Sequence, residues 1–335
     1  MESAMAVPMT PPAVAPDFLI KAGWGGASIL PLAGDASFRR YFRVIAPGRQ
    51  AVLMDAPPPH ENPRPFIAIA RHLRSLGFAA PEILASDLEH GLVLLEDFGD
   101  ARMREVVDAA PESEQRIYAD VVALLARLHQ SPAADLPPYS RTELHRETGL
   151  FTEWYCPAVD LTVDLTSYRQ AWDAAFDHIE GPVVTVLRDY HAENIMLVEG
   201  EVGEASLGLL DFQDALAGHP AYDLVSLLQD ARRDVAPDLE ASMRLAYAVA
   251  ANPGPTFDAA YAVLGAQRNA KIIGIFMRLW KRDGKPRYLG YLPRVWRYLE
   301  RDLRHPALAD VAEWFAANIP ADKRGSAWTK VEDQI

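Results

Sequence analysis

The spacing of apolar and polar positions changes character near residue 100. Before it, short apolar runs at 29–32, 38–45 and 51–54 alternate with turn residues, Ala33-Gly34-Asp35-Ala36-Ser37 and then Ala46-Pro47-Gly48-Arg49. This pattern predicts a β-meander. Pro57-Pro58-Pro59 stops the third strand, because proline cannot donate to a sheet ladder. A helix over about 64–76 follows, then two more strands at 81–86 and 91–95, and Glu96-Asp97-Phe98-Gly99 leaves the sheet. Beyond residue 100 the period lengthens. Apolar residues at 117, 118, 121, 122, 124, 125 and 128 form the stripe of a helix over 112–130, and a second helix is predicted over 168–179. From 222 to 317 the chain reads as helix after helix, broken at Pro237, at Asn252-Pro253-Gly254-Pro255 and at Asp283-Gly284-Lys285-Pro286. The expected class is α+β: a small sheet-rich lobe over 17–99, a larger helical lobe over 100–318, and tails at 1–16 and 319–335.

One stretch interrupts the helices. The apolar runs 183–187 and 195–197 flank a polar loop ending in Asn194, and a further run, 207–210, delivers Asp211-Phe212-Gln213-Asp214 into the next loop. Two carboxylates, Asp189 and Asp211, and the Asn194 amide thus stand at the mouths of short strands. Such a set suits phosphoryl transfer, in which Mg²⁺ takes hard oxygen ligands and a hydroxyl nucleophile needs a carboxylate beside it. The spacing D-x-x-x-x-N followed by an apolar-D-F strand end matches the catalytic loop and metal-binding Asp of kinases. Asp189 is then the general base, and Asn194 and Asp211 are the Mg²⁺ ligands.

Composition narrows the alternatives. At 335 residues and 50% hydrophobic the chain can bury a sizeable core. A net charge of −13 argues against a nucleic-acid partner held by phosphate neutralisation. A single cysteine, Cys156, allows no intrachain disulfide and suits a reducing compartment. Residues 1–16 carry Pro8, Pro11, Pro12 and Pro16 without the basic and apolar segments of a signal peptide. No stretch reaches the roughly 18 apolar residues of a membrane span. A cytoplasmic monomer with no membrane partner is expected.

The phrase LRDYHAENIMLVEG…LGLLDFQDALAGHPAYDLVSLLQDARRDV, with VLMDAPP near the N-terminus, resembles the aminoglycoside-phosphotransferase and choline-kinase branch of the kinase-like fold. Within that branch it is most similar to the bacterial anomeric kinases of N-acetylmuramate and N-acetylglucosamine. The resemblance spans about 17 to 306 and implies a two-lobed kinase-like fold. It also implies ATP and Mg²⁺ as cofactors, a small-molecule sugar as substrate, and phosphorylation at the C1 hydroxyl in cell-wall sugar recycling. Alternatives are another small-molecule kinase of the same fold, acting on an amino alcohol or an aminoglycoside, and a nucleotide-binding pseudokinase working through protein partners.

The resemblance also assigns roles. Gly34, Asp35, Ala36 and Ser37 occupy the nucleotide loop, where small residues let backbone N–H groups approach phosphate oxygens. Glu96, Asp97 and Phe98 mark the hinge whose backbone holds the adenine edge. The third-strand lysine of the fold is replaced by Met54, and Arg39, Arg40 and Arg43 are candidates to carry its phosphate charge, with Arg43 assigned to the nucleotide. Arg188 anchors the catalytic loop by pairing with a carboxylate, and His191 orders it through a hydrogen bond. The segment from Glu147 to Trp154 and Tyr155 resembles the sugar-binding region, since a pyranose stacks on a ring while its hydroxyls need acceptors; a packed aromatic helix is the other reading. Asp214 either touches substrate or holds the turn. Asp223 is expected to cap a helix. Lys271, Arg278, Lys281, Arg282, Arg287, Arg294 and Arg297 read as a solvated basic face, the alternative being attraction of the lactyl carboxylate of N-acetylmuramate or of nucleotide phosphate.

Overall fold

The period-2 pattern of the first hundred residues produces a five-stranded antiparallel sheet in a computed structural model that describes residues 9–32, 38–201 and 203–328. Its strands are β1 (Ser28–Pro31), β2 (Arg40–Ala46), β3 (Arg49–Asp55), β4 (Ile83–Asp87) and β5 (Leu92–Glu96), in the spatial order β1-β2-β3-β5-β4. Phe42 stands opposite Leu53 and Leu53 opposite Leu94, so one face carries an apolar row across three strands. That row joins Val44, Ala51, Leu92 and, from the helix Ala15–Lys21 and its exit, Phe18, Leu19 and Trp24 in one buried cluster. Tyr41, Met54 and Val93 are opposite one another on the other face, as alternation requires. Arg49 places its guanidinium 4.0 Å from the Trp24 ring centroid at the rim.

Four short strands follow in sequence: β6 (Val184–Val186), β7 (Ile195–Leu197), β8 (Leu207–Leu209) and β9 (Leu216–Gly218). The runs on either side of the polar loop do not pair with each other. Instead β6 pairs with β9 and β7 with β8, both antiparallel. The chain divides accordingly into two compact units, Met1–Val106 with Glu193–Asp214, and Val107–Ala192 with Ala215–Ile335. The first contains the five-stranded sheet and the β7–β8 hairpin; the second contains the β6–β9 pair and most of the helix.

Within the second unit the helix Glu114–Gln130 buries Ile117, Tyr118, Val121, Val122, Leu124, Leu125 and Leu128, the stripe expected from sequence. The 25-residue helix Phe257–Lys281 is buried on nearly every side, packing on Arg141–Leu150, Ala221–Leu228 and Leu292–Asp302. Gly274 makes its closest approach possible: a Cβ there would lie 2.3 Å from the Leu150 carbonyl carbon and oxygen, and neither backbone atom can yield. Gly274→Ala is therefore expected to cost about 1–3 kcal/mol through overpacking. Urea unfolding of the full chain would read this as a lower midpoint, and an unchanged midpoint would contradict the approach.

Arg141–Leu150 continues into a π-helical turn, Phe151–Tyr155, which aims Phe151 and Tyr155 into a cluster with Tyr168, Trp296 and Phe315. The residues expected as an exposed tail from 319 belong in part to this core. Ile319 is fully buried, and buried Trp328 donates from Nε1 to the Tyr155 hydroxyl at 3.0 Å. Large apolar side chains at 319 and 328 find a partner surface that a polar run such as Ala321-Asp322-Lys323-Arg324 does not advertise. Among the described residues no helix is long and apolar enough to cross a membrane.

Candidate active site

In the helical unit, β6 feeds Leu187, Arg188 and Asp189 into the loop. Arg188 has φ +71°, a left-handed conformation that a non-glycine residue adopts only when its surroundings enforce it. Asp223 enforces it. Its buried carboxylate accepts from the Leu187 N–H at 2.7 Å and the Arg188 N–H at 2.8 Å, and the Ser226 hydroxyl donates to the Arg188 carbonyl at 3.2 Å. Asp223 sits inside the helix Ala221–Leu228 and makes no capping bond there, so the expectation of a helix cap gives way to a loop anchor. Tyr190 donates to the Val121 carbonyl at 2.8 Å, and His191 is buried with Nε2 3.4 Å from an Arg232 nitrogen. Asp189, between these pinned neighbours, is half-buried.

The carboxylate that pairs with Arg188 is Glu147. It is fully buried and receives Arg188 Nη2, Lys271 Nζ at 2.7 Å, Gln267 Nε2 at 2.9 Å and the Tyr139 hydroxyl. Burial alone would raise its pKa, but Lys271 and Arg188 outweigh that and hold it at about 2. Lys271, whose side chain is only 15% exposed, is pushed above the ordinary lysine range: burial opposes its charge, while Tyr222 and Glu147 favour it more strongly. Two sequence expectations are corrected here. Glu147, enclosed by four donors, is the counter-ion of Arg188 and Lys271 rather than a sugar acceptor. Lys271 is interior, not part of a solvated face.

Tyr155 is corrected likewise. Its ring is fully buried, stacked on Phe151 at 5.0 Å between centroids, and its hydroxyl donates to the Lys323 carbonyl, so it packs the core. Trp154, on the same turn, is partly exposed. Asp214 is exposed at the end of its loop.

In the sheet-rich unit, Asn194 and Asp211 stand at the adjoining ends of β7 and β8, where the Leu210 N–H donates to the Asn194 carbonyl at 2.9 Å. Their side chains approach to 3.5 Å. Asp211 has φ +58°, and its Oδ1 is met by Gln213 Nε2 at 3.0 Å and Arg39 Nη2 at 3.3 Å. Phe212 behind it is fully buried, stacked on Phe66 with centroids 4.8 Å apart. Glu193 pairs with Arg104. One carboxylate and one amide oxygen, side by side, are a donor set suited to Mg²⁺, which binds few protein ligands and fills its octahedron with water and phosphate oxygens.

At the exit from β5, Arg43 donates to Asp97 at 2.7 Å and to Asp100 at 2.8 Å, and also to the Gly99 carbonyl. Arg43, assigned from sequence to the nucleotide, thus clamps the exit turn, because its register on β2 brings it over that turn. Asp97 also accepts from the Gly99 N–H at 2.8 Å, Glu96 from the Glu82 N–H at 3.1 Å, and Phe98 covers Gly208, where a Cβ would lie 2.6 Å from its ring. Their side chains shape the turn, which leaves any nucleotide contact to its backbone. Arg40 pairs with buried Asp55, donating from Nε at 2.8 Å. The segment Gly34, Asp35, Ala36 and Ser37 lies outside the described residues.

A family model described as "Phosphotransferase enzyme family" matches residues 28–262. An N-acetylmuramate/N-acetylglucosamine kinase of Pseudomonas aeruginosa is 40% identical over 321 residues, covering 90% of this chain and 93% of its own. The protein of the same name from Caulobacter vibrioides is 35% identical, covering 92% and 96%. Among solved structures, a choline/ethanolamine kinase family protein from Mesorhizobium loti superposes with a TM-score of 0.63 at 16% identity, covering 90% of this chain and 97% of that one. A choline kinase from Streptococcus pneumoniae gives 0.58 at 14%, covering 84% and 93%. The likeness to these structures is one of fold.

Proposed function

The chain belongs to the phosphotransferase enzyme family, and on that premise we propose that it is an ATP-dependent kinase of N-acetylmuramate and N-acetylglucosamine, acting on the anomeric hydroxyl. The observation that carries the reading is the pair of anchored loops: Asp189 on a loop pinned by Asp223, and Asn194 with Asp211 joined at the ends of one hairpin. The relatives' shared name, at 40% and 35% identity over nearly the whole length, supports the choice of sugar.

In this mechanism Asp189 accepts the proton of the attacking hydroxyl. An anomeric hydroxyl is more acidic than an ordinary alcohol, so a carboxylate of modest basicity is sufficient. Asn194 and Asp211 would hold Mg²⁺, which when bound supplies charge neutralisation at the phosphate oxygens. Arg188, held by Glu147, and His191 keep the loop in shape and do not take part in proton transfer. Trp154, partly exposed where Tyr155 is buried, is the aromatic residue of this segment left to meet the apolar face of a sugar. The backbone of the 96–99 turn carries the adenine contacts. The protein works in the cytoplasm, where ATP is available, as a monomer, returning cell-wall sugars to metabolism.

ADP release with Mg²⁺-ATP should be measured across N-acetylmuramate, N-acetylglucosamine, choline, homoserine and kanamycin, with phosphorus NMR of any product. The expected result is turnover on the two sugars and an anomeric phosphate signal. Turnover on choline, homoserine or kanamycin alone would discard the sugar assignment, and phosphate on another hydroxyl would discard the anomeric one.

A further inference from the structure

A nucleotide triphosphate brings several negative charges, and the kinase-like fold ordinarily meets part of them with a lysine on its third strand. Here that position is Met54, a fully buried thioether on β3. Neutralising charge must come from a neighbouring strand. The register pairs Tyr41 with Met54 and Arg40 with Asp55, which sets Arg39 one residue past the end of β3. Its side chain is only 9% exposed and its Nη2 lies 3.3 Å from Asp211 Oδ1.

We propose that Arg39 is the cation that binds the nucleotide phosphates in this chain, in place of the missing strand lysine. The inference rests on the kinase reading above. Asp211, with Asn194, would hold the Mg²⁺ that neutralises the phosphate oxygens, so a cation held at Asp211 would stand beside those phosphates. A guanidinium suits the task, because its planar fork matches phosphate oxygens in pairs. The other candidates are engaged elsewhere: Arg40 donates through Nε and Nη2 to Asp55, and Arg43 bridges Asp97 and Asp100. On nucleotide binding Arg39 shares its donors between Asp211 and the phosphates, a rearrangement that needs no movement of the strand.

The test is calorimetric titration of the full chain with ATP and with adenosine, each in EDTA and in Mg²⁺. Adenosine reports the base site and the integrity of the fold without phosphate. Arg39→Gln is expected to weaken ATP binding by at least about tenfold, the scale of a lost charge-assisted hydrogen bond, while adenosine affinity stays within about twofold. Arg39→Lys should keep more of the ATP affinity than Arg39→Gln. Unchanged ATP affinity in Arg39→Gln overturns the proposal, as does a loss shared equally by ATP and adenosine in both variants. Wild-type protein that binds neither ligand would overturn the kinase reading itself, and this inference with it.

Discussion

Asp189→Asn is expected to lower kcat for sugar phosphorylation by about 10²–10⁴-fold, the usual contribution of a positioned general base. The substitution is nearly isosteric and removes the proton acceptor without removing volume. The surrounding loop has its own supports: Asp223 holds the Leu187 and Arg188 amides, Tyr190 holds the Val121 carbonyl, and the His191 N–H donates to the backbone carbonyl of residue 189. Stability and nucleotide affinity should therefore remain near wild type while turnover falls. Steady-state kinetics with N-acetylglucosamine and ATP, beside an ATP titration of the same variant, separates the two. Turnover within a few-fold of wild type would remove Asp189 as the base, and a parallel loss of ATP binding would show that the loop had been disturbed instead.

Glu147→Gln is expected to destabilise the protein by about 3–5 kcal/mol, the usual cost of breaking a buried ion pair by removing one partner. Two cations, Arg188 and Lys271, would be left buried around a neutral amide. The pH dependence follows from the same contacts. Because the folded-state pKa is depressed from 4.5 to about 2, the carboxylate's contribution is fully present above the unfolded value. It is lost as pH falls from about 4.5 through about 2, and a depression of this size corresponds to about 3 kcal/mol. Urea unfolding as a function of pH should show Glu147→Gln closing on wild type as the pH drops through that window. A constant difference between the two proteins across the window would mean that the ion pairs do not set Glu147's ionisation. Glu147→Gln with Lys271→Met should lose less than the two single changes added together, since removing the anion and one of its cations leaves less charge unmatched.

These two sites differ in how much of them was legible along the chain. The strand–loop–strand phrases around Asp189, Asn194 and Asp211 depend on local spacing. Apolar runs fix where a strand begins and ends, and a loop of given length brings its last residue to the next strand. Asn194 and Asp211, separated in sequence by a hairpin, lie 3.5 Å apart at the ends of β7 and β8. Strand partners were less legible. Periodicity says which face of β6 is buried but not which neighbour it joins, and β6 joins β9, a run of Leu216-Ala217-Gly218 too short and mild to announce itself.

Charged residues were the least legible. Arg188 was expected to need a carboxylate, but nothing in the spacing selects Glu147, which is 41 residues away, or sets Lys271 against the same carboxylate. The choice between a solvated and an interior lysine depends on which face of the helix Phe257–Lys281 meets Arg141–Leu150, and that helix is buried nearly all round, polar positions such as Gln267 and Asn269 included. Arg43 and Arg39 repeat the lesson on β2. Arg39 stands just before the strand and Arg43 in its middle, on the same face, yet one reaches Asp211 and the other the 97–100 turn, because four residues of strand place them opposite different neighbours.

The amino-acid sequence by itself determined the class of fold, the position of most helices and strands, and the residue types available for phosphoryl transfer, because those follow from periodicity, turn chemistry and short-range spacing. Tertiary structure alone decided that Glu147 is enclosed, that Tyr155 belongs to an aromatic core with Trp328, and that Arg39 rather than Arg40 or Arg43 stands at Asp211. Those outcomes depend on contacts between segments far apart in the chain, where packing, not local preference, determines which charges and rings can meet.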